Sequence, residues 1–226
     1  MKWSILSLES VPIIEQLYIE EALLRADDRN VLLINRGSPT AIVMGIAGKP
    51  EELIYKDKVI ADNIPVIRRF SGGGTVVIDE NTLFVTLICN SDDVDVDPLP
   101  KSILEWGQKF YASFIPNLEL RENDFTFGEL KVGGNAQYIR KGRWLLHTSF
   151  LMEYSTSKMA YLKLPPKRPA YRKDRKHGDF LTTLNKHTNV SKLIKDLEAL
   201  GQPLQKLGDA LLKEHRRSTS LLNISQ

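Results

Sequence analysis

Arg68-Arg69-Phe70-Ser71-Gly72-Gly73-Gly74-Thr75-Val76 carries two adjacent cations into a triple-glycine run that ends on two β-branched residues. Glycine lacks a Cβ, so this backbone can take positive φ and approach a ligand closely. Its N–H groups and the Ser71 hydroxyl can then bond carboxylate or phosphate oxygens, with the arginines supplying charge beside them. Taken alone, the same residues also describe a glycine-rich surface turn with two solvated arginines. The run matches neither standard nucleotide signature. Gly48-Lys49 leads into Pro50 and lacks the earlier glycine of a phosphate loop, and the glycine spacing does not fit a dinucleotide fingerprint.

Outward from this loop the pattern is mainly that of strands. Residues 65–69 enter it, 75–78 leave it, and 83–88 continues the β-branched theme. Residues 3–8 alternate as a strand, and the apolar runs 31–35 and 41–45, joined by Arg36-Gly37-Ser38-Pro39-Thr40, read as a hairpin. A second strand group is expected at 125–127, 131–132, 136–139 and 144–146, with Arg140-Lys141-Gly142-Arg143 as its last turn. One helix opens at Pro12 and lines Ile13, Leu17 and Leu24 along one side; another spans 101–114 with Ile103, Gly107, Phe110 and Phe114 on one stripe. Two short helices are expected in 190–212, split at Gly201-Gln202-Pro203. The expected fold is α+β, with mixed, mostly antiparallel sheets flanked by helices, in one domain spanning 1–226.

Three further segments carry chemistry. Lys131-Val132-Gly133-Gly134-Asn135-Ala136 puts a lysine on a strand just before backbone that permits close approach. A fixed ammonium there could offset the repulsion between two meeting anions, although a lysine before a Gly-Gly turn is also commonplace. His147-Thr148-Ser149 offers a histidine that either bonds a ligand, orients the lysine, or is a satisfied interior residue. Residues 167–177 are dense in Lys, Arg and Pro, reading equally as a basic flap over phosphates and as a solvated loop.

Composition narrows the classes. With 42% hydrophobic and 26% charged residues over 226 positions, the chain can bury a full core. A formal charge of +3 suits anionic small ligands and falls short of a nucleic-acid-binding chain. Cys89 is the only cysteine, which excludes an intramolecular disulfide, and the four histidines lack zinc spacing. The N-terminus has neither a signal-peptide core nor transit-peptide character, and no run is long enough for a membrane span, so a cytoplasmic location, or a mitochondrial matrix in a eukaryote, is expected.

In order along the chain, Met44-Gly45, the Arg68 to Val76 loop, the Lys131 to Ala136 segment and the histidine-bearing strand at 144–151 resemble the lipoate-protein ligase A family, whose catalytic fold is shared with biotin-protein ligases. The resemblance covers residues 31–179 and is greatest to compact, single-domain, plant-type members. It implies that ATP and Mg²⁺ activate lipoate or octanoate as the acyl-AMP, which then acylates a lysine of a lipoyl carrier domain, such as a 2-oxoacid dehydrogenase E2 subunit or the glycine-cleavage H protein. Lys131 is then the catalytic lysine. Arg68, Arg69, Ser71, Gly72, Gly73, Gly74, Thr75, Val76, Gly134, Asn135, Ala136, His147 and Thr148 bind the acyl-adenylate, Asn81 is the candidate Mg²⁺ ligand, and Val76 and Val77 wall the acyl tunnel. Three features depart from the family: Ile78-Asp79 stands where many members have His-Asp, Gly48-Lys49 where others often carry Gln-Asn, and the C-terminal accessory domain of many bacterial ligases is expected to be absent, so that activation runs without it, needs a separate partner chain, or is lost.

Other readings are a carrier-to-carrier octanoyl or lipoyl transferase working through a cysteine thioester without ATP, a biotin ligase, and a non-catalytic module binding nucleotide or RNA. Cys89 suits the first poorly because it lies in an apolar run.

Overall fold

A computed structural model describes residues 2–165, 168–213 and 217–225. The strands are β1 (Trp3–Glu9), β2 (Val31–Arg36), β3 (Ala41–Met44), β4 (Val66–Arg68), β5 (Val76–Ile78), β6 (Thr82–Asn90), β7 (Glu119–Arg121), β8 (Asp124–Phe127), β9 (Leu130–Arg140), β10 (Arg143–Leu151), β11 (Gly201–Pro203) and β12 (Ser220–Leu221). The helices are α1 (Ile13–Ala26), α2 (Pro50–Leu53), α3 (Lys56–Ala61), α4 (Pro100–Ala112), α5 (Thr156–Met159), α6 (His177–Phe180), α7 (Val190–Glu198) and α8 (Leu207–Leu212). None of the described helices is long and apolar enough to cross a membrane.

Eight strands form one sheet in the order β11-β1-β2-β6-β10-β9-β8-β7, and four form a second in the order β12-β4-β3-β5. Pairing is antiparallel except where β1 meets β2 and β11 and where β3 meets β4. The large sheet is covered on both faces, since β6 is buried from Thr82 to Cys89 and β10 from Arg143 to Thr148 whichever way their side chains point. On one face Leu83, Val85, Leu87, Trp144, Leu146 and Phe150 pack with Ile103, Leu104 and Tyr111 of α4 and Leu193 and Leu197 of α7. On the other, Phe84 joins Ile13 and Leu17 of α1 and Val43, Ile67 and Ile78 of the small sheet.

Two expectations are corrected. The runs at 31–35 and 41–45 do not form a hairpin: β2 pairs with β1 and β6, β3 pairs with β4 and β5, and the intervening turn carries the chain from one sheet to the other. The Gly133-Gly134 dipeptide is not a turn, since β9 runs unbroken through it. The helix expected at 101–114 spans Pro100–Ala112; Gly107 is needed there, as a Cβ would lie 2.4 Å from Leu146 Cδ2.

Candidate active site

Between the sheets lies a cavity enclosing about 580 Å³ of atom-free space, open mouth included. Thr75 to Ile78 wall it from the small sheet, Lys131, Gly134, Ser149 and Leu151 from the large one, and Met159, Leu162, Arg172, His177, Phe180 and Leu181 close over it.

A local irregularity makes the β9 wall. Phe125 pairs with Gly133 while Thr126 pairs with Lys131, leaving Val132 as an extra residue. Positions three apart on a regular strand face opposite ways, but this bulge turns Lys131 and Gly134 to the same face. A Cβ on Gly134 would come 3.3 Å from Lys131 Nζ, so glycine there leaves room for the ammonium. Asp124 stands opposite Gly134, and its Oδ1 takes Lys131 Nζ at 2.7 Å. Asp124 Oδ2 accepts the Tyr171 hydroxyl at 2.9 Å, which ties the lysine to the basic segment.

The glycine loop is shaped from inside by Arg69. This arginine is 5% exposed; its Nε and Nη2 donate to Gly72 O at 3.0 and 2.9 Å, and Nη2 also donates to Gly74 O at 2.7 Å. Burial lowers its pKa to about 10, and the nearby Glu20 carboxylate opposes that shift. Gly73 at φ +105 packs against β9, where a Cβ would strike Asn135 O at 2.9 Å and Arg69 Nη2 at 2.6 Å. Its own carbonyl oxygen would lie 2.3 Å from a Cβ on Gly45.

The expected site residues therefore divide. Lys131, Thr75, Val76, Val77 and Gly134 share the cavity wall. Arg69 and Ser71 are buried, so Arg69 holds the loop instead of presenting a free charge. Arg68 donates Nη2 to Gly48 O at 2.9 Å, and Gly72 and Gly74 are exposed in the loop, just before the cavity wall begins at Thr75. Asn135 and Thr148 bond each other at 2.8 Å on the sheet's opposite face, next to the Tyr111 hydroxyl, and Ala136 packs beneath the loop. His147 is an interior residue: Nδ1 lies 2.9 Å from Glu20 Oε1 and 3.1 Å from Thr86 Oγ1, outside the cavity wall. Asn81 lines a separate polar cleft with Arg36, Glu80 and Glu153. Among the described residues no group of three His, Cys, Asp or Glu side chains is placed to hold a metal ion.

Sequence reasoning missed Asp124 and Phe180, and it named Ser149, Tyr171 and Arg172 only as members of longer candidate segments. The basic segment, whose Lys167 lies outside the described residues, folds over the cavity: Arg172 and Arg175 stack on the Phe180 ring at 4.7 and 5.2 Å. His177 sits at the wall with its pKa lowered by burial, then by the charges of Arg172 and Lys131.

A family profile described as the lipoyl protein ligase A/B catalytic domain matches residues 12–200. A curated Plasmodium falciparum relative named inactive lipoate–protein ligase 2 is 28% identical over 180 residues, covering 63% of this chain and 47% of its own length. The chain thus spans about half the length of that relative. Among solved structures, a bi-partite lipoate protein ligase described with its E2 lipoyl domain from Thermoplasma acidophilum aligns with TM-score 0.74 at 21% identity, over 93% of this chain and 90% of that one. A lipoate-protein ligase A bound with ATP aligns with TM-score 0.69 at 19% identity, over 93% and 92%.

Proposed function

The chain belongs to the lipoyl protein ligase A/B catalytic-domain family, and from that premise we propose that it activates lipoate or octanoate with ATP and passes the acyl group to a lysine of a lipoyl carrier domain. The observation that carries this reading is that the Lys131 ammonium and the outgoing limb of the triple-glycine loop face one cavity with apolar walls.

In the first step a carboxylate oxygen attacks the α-phosphorus; a new P–O bond forms and the bond to pyrophosphate breaks. Lys131 keeps two N–H donors beyond its bond to Asp124, enough to touch both the carboxylate and the α-phosphate as their charges meet. In the second step a neutral carrier amine attacks the acyl carbon: the amide C–N bond forms, the C–O bond to AMP breaks, and the proton lost by the nitrogen leaves with the departing AMP phosphate or to water. Val76, Val77, Ile78, Leu151 and Leu162 would desolvate the acyl chain, at about 0.8 kcal/mol per CH₂ buried.

A thioester route lacks support, because Cys89 is wholly buried in the large core, away from the cavity, with its thiol pushed up by burial. Incubating the chain with lipoate or octanoate, MgATP and an E2 or H-protein carrier, with and without a candidate accessory chain, tests the proposal. A carrier mass increase of one acyl group is expected; no increase and no ATP-pyrophosphate exchange would overturn it. The name of the Plasmodium relative favours a second reading, in which the chain binds the acid without turnover. Stabilisation by lipoate without pyrophosphate exchange would select that reading.

A further inference from the structure

Two polar atoms from residues on the cavity wall are buried without a hydrogen-bond partner: Arg172 Nη2 and Thr75 Oγ1. Elsewhere on this wall the charges are matched, since Lys131 is paired with Asp124 at 2.7 Å. Arg172 is 5% exposed and forms no ion pair among the described residues. Its guanidinium lies over the Phe180 ring at 4.7 Å, with Nε donating to Arg175 O at 3.3 Å. Arg175 fastens the turn in return, donating Nε to Arg172 O at 3.1 Å and Nη1 to Glu129 O at 2.9 Å. The arginine is therefore held in place by packing while part of its donor fork is left unused.

An unpaired buried donor costs roughly 1–3 kcal/mol, more when it belongs to a charged group, so such an atom calls for an explanation. A guanidinium presents parallel N–H bonds that fit the two oxygens of a carboxylate or phosphate. Resting on the reading of this cavity as the acid-activating site, we propose that Arg172 is a binding residue for the ligand's oxyanion, with Thr75 donating from the glycine loop. The oxyanion is either the carboxylate of the fatty acid or the phosphate to which it becomes joined. Lys131, its ammonium held by Asp124, then acts as the two anions meet, while Arg172 supplies the ground-state charge that draws the anion in.

Calorimetric titration of the full chain with two isosteric pairs tests this: octanoate against octanamide, and AMP against adenosine. In the wild type the charged member of at least one pair should bind about ten- to a hundredfold more tightly. Arg172→Gln should erase that ratio, and the pair that collapses identifies which oxyanion is held. Arg172→Lys keeps the charge but not the fork and should retain a reduced ratio; it also serves if the glutamine variant proves unfolded in an unliganded melt. Unchanged ratios in both pairs for the folded variants would overturn the proposal and leave the acid-site reading standing. Failure of the wild type to bind any of the four ligands would remove that reading, and the proposal with it.

Discussion

Gly133 and Gly134 are neighbours on one strand that face different partners. A Cβ on Gly133 would press 2.9 Å from Cδ1 of the Phe150 ring inside the large core, whereas one on Gly134 would meet only the end of the Lys131 side chain, at 3.3 Å from Nζ. Gly133→Ala should therefore lower unfolding stability by about 1–3 kcal/mol through overpacking, read from a denaturant midpoint. Gly134→Ala should leave the midpoint nearly unchanged while slowing pyrophosphate exchange; equal stability losses in the two variants would contradict this division. Lys131→Ala should lower the exchange rate about a hundredfold or more with the fold retained. His177 gives the pH dependence. Its folded pKa lies below the usual 6.5, so above 6.5 the group contributes nothing, and stability is lost as pH falls through 6.5 towards the folded value, because the unfolded chain protonates first. His177→Gln should flatten the part of the melting-temperature profile between pH 7 and 5 that this histidine causes, and an unaltered slope would dismiss it. Lys131 stood out in the sequence through the family resemblance, since a lysine near two glycines is commonplace on its own. Asp124 did not stand out, and Arg172 did so only as one cation of the 167–177 run, since an acid near a turn and a single arginine in a basic run acquire individual meaning only when tertiary structure brings them to that lysine.

At the scale of elements, the strands and main helices were largely legible from periodicity, and the errors have physical causes. The 36–40 link has the Gly and Pro of a tight turn, which looks the same whether the chain returns in one sheet or crosses to another, and β2 and β3 are too fully buried to show alternation. The bulge at Val132 was hidden because register depends on the partner strand. The C-terminal strand had no visible signal at all: β12 pairs only through Ser220 with Arg68 and Leu221 with Ile67. Its anchor is Glu21, wholly buried on α1, whose carboxylate accepts Ser218 N at 2.9 Å, Thr219 N at 3.2 Å and Arg25 Nε at 3.1 Å. Glu21→Ala strands those donors and should cost about 1–3 kcal/mol. Because β12 borders β4, the strand that enters the glycine loop, amide exchange should also rise in β12 and along β4. Unchanged protection in both would show that the tail is held without Glu21.

At the scale of the whole molecule, the cavity joins three parts that are distant in sequence: the loop leaving the small sheet, the β9 and β10 strands of the large sheet, and the segment carrying Arg172 to Leu181. The sequence named the first two, and the basic start of the third, as chemical candidates but could not show that they face each other, because sheet-to-sheet packing leaves no local pattern. A ligand bridging these parts stabilises the folded state by about 2.7 kcal/mol at a hundred times its Kd. An acid or a nucleotide alone engages part of that wall, while an octanoyl-adenylate analogue engages both halves and loses its translational freedom only once. The analogue should therefore raise the melting temperature by more than octanoate and AMP do when added together at the same concentrations. If the analogue gives no more than the larger of the two single shifts, the acyl and adenylate halves do not bind side by side, and the common cavity assigned to Lys131 and the glycine loop is not the place where they are joined.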